Sequence, residues 1–140
     1  MKTDSDGVFQ AVLRGMSLSI SVLLVTHNAH DTIAATVKGA FMELARLTAD
    51  FEIVVDNGSL DGTEDVLRHL ERHVSQLSVV HHLQDRSFKL AIVYGLEKTT
   101  KDFVLCTDAD GQYDIHDLPR FVRQLHPDTD VLQGYRIDAS

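Results

Sequence analysis

The sequence predicts an α/β fold, a mostly parallel β-sheet with helices on both faces. Three observations predict it. Strand-like and helix-like segments alternate strictly along the 140 residues. The strand segments are short apolar runs that each end in polar, turn-forming residues. No internal repeat or low-complexity linker divides the chain.

The first strand is read at 18–25 (LSISVLLV), β-branched and too short for a typical helix, ending in Thr26, His27 and Asn28. From Asp31 onward, Ile33, Val37, Ala40, Phe41, Leu44 and Leu47 recur at helical spacing and mark one apolar face. FEIVV at 51–55 is a second strand, followed by the turn chemistry of DNGSLDG at 56–62. Asp61 is placed to cap the next helix, with Glu64 three residues on as in a capping box; Val66, Leu67, Leu70 and Val74 form its buried stripe. A third strand is read at 77–82, a third helix at 87–99, a fourth strand at 103–107, a short helix at 118–125 and a fifth strand at 131–133. Residues 1–17 read as an N-terminal tail and 18–140 as one domain.

Composition narrows the function classes. An apolar fraction of 44% with 24% charged residues is that of an ordinary globular domain, and no window approaches the roughly 18 apolar residues of a membrane span. Residues 1–17 lack the basic start and apolar run of a secretory signal. The net charge of −8, with scattered Lys and Arg, excludes the electrostatic footprint of a nucleic-acid binder. An anionic ligand would therefore need a cation. The single cysteine, Cys106, lies in an apolar run and reads as a buried structural thiol.

Open parallel sheets bind ligands outside the carboxyl ends of their strands. Four polar clusters fall on that edge: Thr26, His27 and Asn28; Asp56, Asn57, Gly58 and Ser59; His82 and Arg86; and Asp108, Ala109, Asp110, Gly111 and Gln112. Asp108 and Asp110 leave an apolar strand and enter a turn, so their hard oxygen donors suit Mg²⁺ or Mn²⁺. A cation there would stabilise a departing diphosphate as a Lewis acid.

Competing readings are weaker. As a calcium loop, DADGQYDIHD has Tyr113 in place of the sixth-position glycine and Pro119 in place of the final glutamate. As a phosphatase motif it carries Gln112 where threonine belongs. His69 and His73 are four apart but lack the His-Glu-x-x-His pattern of a zinc helix. Asp56 also fits an Asx turn, Asp108 and Asp110 a pair of capping acids, and Arg86 and Arg136 ordinary surface residues.

The ordered set VLLVTHN (22–28), VVDNGSLDGT (54–63), DRSFKLAIVYGL (85–96), CTDADGQYD (106–114) and QGYR (133–136) resembles family 2 glycosyltransferases. DADGQYD is most similar to the dolichol-phosphate mannosyltransferase and polyprenol-phosphate branch. The resemblance covers 18–136 and implies a Rossmann-like GT-A three-layer sandwich. It implies nucleotide contacts for Thr26, Asn28, Asp56, Asn57, Gly58, Arg86 and Asp108, with Asp56 on the base. It implies metal ligation by Asp108, Asp110 and Gln112, and a diphosphate- or acceptor-side role for Arg136. The implied donor is a UDP or GDP sugar, the acceptor a polyprenol phosphate or saccharide, and the location cytoplasmic, with peripheral association at the membrane face.

Two glycines of the family pattern are replaced by Ser87 and Lys89, and the chain stops about where the family's acceptor-binding half begins. No feature chooses a general base among Asp114, Asp117, Asp128, Asp130 and Asp138. A nucleotide-sugar-binding module without transfer activity is thus the alternative to a metal-dependent transferase. Self-association through a sheet edge left uncovered is a further expectation.

Overall fold

The computed structural model describes residues 18–81, 87–109, 114–126 and 128–134. The expected tail at 1–17, His82, Arg86, Asp110, Gln112 and Arg136 lie outside the described residues. The chain forms two compact units, one of residues 18–116 and a second that includes 117–140.

The first unit alternates as its sequence pattern requires: β1 (Ser19–Thr26), α1 (Ile33–Leu47), β2 (Asp50–Asn57), α2 (Thr63–His73), β3 (Leu77–His81), α3 (Phe88–Lys98) and β4 (Phe103–Asp108). Its four strands are all parallel, in the order β3-β2-β1-β4. The apolar run at 18–25 becomes a central strand, and all eight β1 residues are buried. Right-handed crossovers that step from β1 through β2 to β3 place α1 and α2 on one face, and the step back to β4 places α3 on the other. α1 packs on β1, β2 and α2, while α3 packs on β1 and β2.

α1 buries its predicted stripe, and α2 buries Leu67 and Leu70 of its own while Val66 and Val74 are half-buried. Ile33, Val37, Ala40 and Leu44 of α1 have no exposed surface, and the Phe41 ring meets Phe51 of β2 edge-on at 5.4 Å. Full burial of each such side chain stabilises by roughly 1.5–3 kcal/mol. On the opposite face Gly95 of α3 rests on the fully buried Leu23 of β1: a Cβ at position 95 would lie 2.8 Å from Leu23 Cδ2. α3 crosses the sheet at this point because no side chain intervenes.

The second unit contains α4 (Leu118–Arg123), with Pro119 in its first turn, where a missing N–H costs nothing. Leu118 and Val122 are buried, and Gly134 lies against the Phe121 ring.

Three expectations are corrected. Residues 131–133 form no strand: Val131 is 84% exposed and has no ladder partner among the described residues, and a lone extended segment gains nothing from β geometry. Cys106 is exposed rather than buried, because β4 is the outer strand and α3 covers β1 and β2 instead. Residual desolvation, with the nearby Asp108 charge, still raises its thiol pKa. The cap of α2 also differs. Gly62 (φ 89°) opens the helix, Asp61 accepts from Thr63 N–H at 3.2 Å and from the Thr63 hydroxyl, and Glu64 pairs with Arg68 instead of reaching back.

Candidate functional site at the carboxyl edge

The two loops that leave β1 and β2 are stitched together by their own polar residues. Thr26 donates its hydroxyl to Asn57 Oδ1 at 3.0 Å and to the Asp56 carbonyl at 3.2 Å. Asn57 Oδ1 also accepts from Ser59 N–H, and Gly58 N–H points to the Thr26 carbonyl at 3.5 Å. Asn28 adopts a left-handed backbone, φ 51°, a conformation that Asn tolerates better than most residues. There its backbone N–H donates to Ser59 Oγ and its side-chain carbonyl accepts from Leu60 N–H, at 2.9 and 3.0 Å. Asp61 completes the seam by accepting from His30 N–H at 3.2 Å, and these bonds hold its carboxyl below the usual range, with the Thr63 hydroxyl the largest cause.

The strand register sorts the acidic and polar residues onto opposite faces. Val25 is paired with Asp56 on one side and with Asp108 on the other. Side chains in register share a face, so Asp56 and Asp108 flank Val25 two strand spacings apart, about 9.5 Å. That face is the one covered by α3, since Leu23 and Val25 alternate with the residues between them. Thr26, Asn57 and His81 form the next row, directed to the α1–α2 face. Asn57 Nδ2 donates to His81 Nδ1 at 3.3 Å, and the imidazole lies 3.9 Å from both Glu64 and Glu71.

The structure therefore brings Asp56 and Asp108 to one face of the edge, while Thr26 and Asn57 lie back to back with them and spend their side chains on loop architecture. Asp56, Asn57 and Thr26 are buried; Asn28 is exposed. The order β3-β2-β1-β4 reverses between β1 and β4, so the topological switch, where open parallel sheets bind their ligands, falls at the strand ends Thr26 and Asp108. α3 runs antiparallel to the strands and brings its N-terminus, capped by Ser87 Oγ on Leu90 N–H, to this edge.

Among the described residues no group of three or more His, Cys, Asp or Glu side chains converges on a metal position, and two of the three expected ligands fall outside them. Of the three expected ligands only Asp108 is described. The Asp108 carboxylate ends β4, and Ala109 behind it is fully buried, with its N–H on the Val25 carbonyl at 3.0 Å. Carboxylate oxygens on a fixed backbone suit Mg²⁺ or Mn²⁺.

Ser59, one of the edge residues read from the sequence, ties Asn28 to the loop after β2, and His81 completes the Thr26–Asn57 row. Sequence reasoning missed one contributor. Glu43 is only 7% exposed and pairs with His116, and its one signal was an acid set inside an apolar stretch, between Phe41 and Leu44.

A family model described as glycosyl transferase family 2 matches residues 21–140. The undecaprenyl-phosphate 4-deoxy-4-formamido-L-arabinose transferase of Serratia proteamaculans is 28% identical over 84% of this chain and 36% of its own length. The protein of the same name from Pseudomonas syringae is 30% identical over 84% of this chain and 35% of its own. Among solved structures, the mannosyltransferase PcManGT of Pyrobaculum calidifontis, in complex with GDP-Man and Mn²⁺, shares the fold with a TM-score of 0.66. It is 21% identical, and the match covers 86% of this chain and 40% of that one. The chain thus spans about a third of the length of these curated relatives.

Proposed function

The chain belongs to glycosyl transferase family 2, and from that premise we propose that it binds a nucleotide-diphosphate sugar, of UDP or GDP type, at the carboxyl edge of its sheet. One observation carries the reading: Asp56 and Asp108 lie on the same face, either side of Val25, at the point where the strand order reverses. Asp56 receives the base, because its carboxylate can accept an imino N–H that both uracil and guanine present. Asp108, with Asp110 and Gln112, holds Mg²⁺ or Mn²⁺, Arg86 contacts the base or phosphates of the nucleotide, and Arg136 serves the diphosphate or acceptor side. When bound, the cation supplies Lewis-acid stabilisation of the departing diphosphate.

Thr26, Asn28, Asn57 and Gly58 act chiefly by fixing the two loops that frame the pocket. The reaction is transfer of the sugar to a lipid phosphate or saccharide. Polyprenol phosphate is the favoured acceptor, since both curated relatives are named for undecaprenyl phosphate. Among the described residues no helix is long and apolar enough to cross a membrane. We place the encounter with such an acceptor at the cytoplasmic membrane face.

Calorimetric titration with UDP and GDP, with and without Mn²⁺, tests the donor reading. Binding that the cation strengthens at least tenfold supports it; identical affinity with and without the cation defeats it.

A further inference from the structure

β3 ends on a histidine whose two ring nitrogens meet different neighbours. His81 is paired in register with Asn57, the last residue of β2. Backbone geometry decides which way the Asn57 amide points. Ser59 N–H is an obligatory donor 3.2 Å from Asn57 Oδ1, so the carbonyl end of the amide faces the loop, where the Thr26 hydroxyl also reaches it at 3.0 Å. The amide nitrogen then faces His81 Nδ1 at 3.3 Å and donates to it. Nδ1 accepts only when it carries no proton, so the neutral imidazole holds its proton on Nε2. Nε2 is buried, has no hydrogen-bond partner among the described residues, and lies 3.9 Å from Glu71 Oε2. Glu71 is itself held, because its other oxygen accepts from Val79 N–H at 2.9 Å. Glu64, engaged by Arg68, stands 3.9 Å from Nδ1. The ring is seated between α2 and the end of β2.

From this seat a chain of hydrogen bonds crosses to the end of β1. His81 holds Asn57, and Asn57 holds the Ser59 N–H. Ser59 Oγ in turn accepts from Asn28 N–H at 2.9 Å, and Asn28 Oδ1 accepts from Leu60 N–H at 3.0 Å. Asp56 precedes Asn57 and faces the other side of the sheet, so a fixed peptide at Asn57 restricts how the Asp56 carboxylate can tilt.

We propose that His81 is a positioning residue for the base end of the donor: as acceptor for the Asn57 amide it fixes the loops after β1 and β2 and, through them, Asn28 and Asp56. The proposal rests on the donor-site reading above. It assigns to His81 one chemical duty, an acceptor at Nδ1, which a residue of similar bulk without an acceptor cannot perform.

The test compares the full chain as wild type, His81→Leu and His81→Asn; Asn keeps an acceptor oxygen near the place of Nδ1, whereas Leu keeps bulk alone. Nitrogen-15 NMR of wild type at pH 8 should show the His81 proton on Nε2, and a proton on Nδ1 overturns the proposal without recourse to any variant. Hydrogen exchange at the Ser59 and Leu60 amides, and affinity for GDP, UDP and pyrophosphate with Mn²⁺, are then measured in all three chains. His81→Leu should speed that exchange and weaken nucleotide binding by about threefold to tenfold, the scale of one hydrogen bond, with pyrophosphate binding unchanged. His81→Asn should recover most of both losses. Unchanged exchange in His81→Leu overturns the positioning role, as does a His81→Asn chain that behaves like His81→Leu. An equal loss for pyrophosphate overturns the assignment to the base end. Faster exchange in His81→Leu, restored in His81→Asn, in a protein that binds no nucleotide supports the positioning of the loops and overturns the donor reading.

Discussion

Asp56 is 2% exposed and stands next to the last residue of β2, a position that costs an acid its hydration unless a partner or ligand compensates. Its row-mate Val25 separates it from Asp108, so the two acids can serve opposite ends of one extended ligand. Asp56→Ala should weaken nucleotide binding much more than pyrophosphate binding, and an equal loss for both by calorimetry would contradict base recognition. Asp110→Ala should abolish the dependence of binding on Mn²⁺ at matched metal. Thr26 and Asn57 behave differently. Their hydroxyl and amide are engaged with each other and with His81, so Thr26→Val should lower stability by about 0.5–1.5 kcal/mol, the net worth of a buried hydrogen bond whose acceptor keeps the Ser59 N–H. Thermal unfolding checks this. That Asp56 and Asp108 share an edge was legible from sequence, because strand ends can be read from apolar runs. That Thr26 and Asn57 face the other way was not, since the face depends on a register that a strand boundary read to within a residue or two does not fix.

Elements were legible where the periodicity was strong. The stripe of Ile33, Val37, Ala40 and Leu44 is a helix because no other geometry buries all four at once. The 131–133 run misled because three apolar residues carry no periodicity and a strand exists only through its neighbour. Cys106 differs for a related reason: an apolar run does not tell which strand lies outermost, and α3 lies over β1 and β2 and leaves Val104 and Cys106 of β4 exposed. The α3 contact also makes a sharp prediction. Gly95→Ala should gain helix propensity of about 1 kcal/mol but force Leu23, which has no exposed surface, out of its packing. A net loss of about 1–2 kcal/mol is expected by denaturant unfolding, and a gain in stability would show that β1 and α3 are more loosely packed than described.

At the scale of the molecule, a net charge of −8 and a carboxylate-lined edge make a divalent cation the natural intermediary for any diphosphate ligand. The outer edge of β4 carries no further strand among the described residues, and Leu90, Val93, Tyr94, Leu96 and Val104 are exposed apolar side chains. Such edges favour association, so sedimentation of the chain should shift with concentration and the shift should diminish in Val104→Lys. A wild-type chain that stays monomeric over the same range would contradict this. The central claim is that Asp56 and Asp108 frame one donor site at the reversal of strand order. Its most direct test is calorimetric titration of GDP and UDP with Mn²⁺ into wild type, Asp56→Ala and Asp108→Asn. The account predicts that both variants lose at least tenfold in affinity for the preferred nucleotide and that Asp108→Asn alone loses the response to Mn²⁺. Wild-type affinity and metal response in both variants would place the donor elsewhere on the molecule.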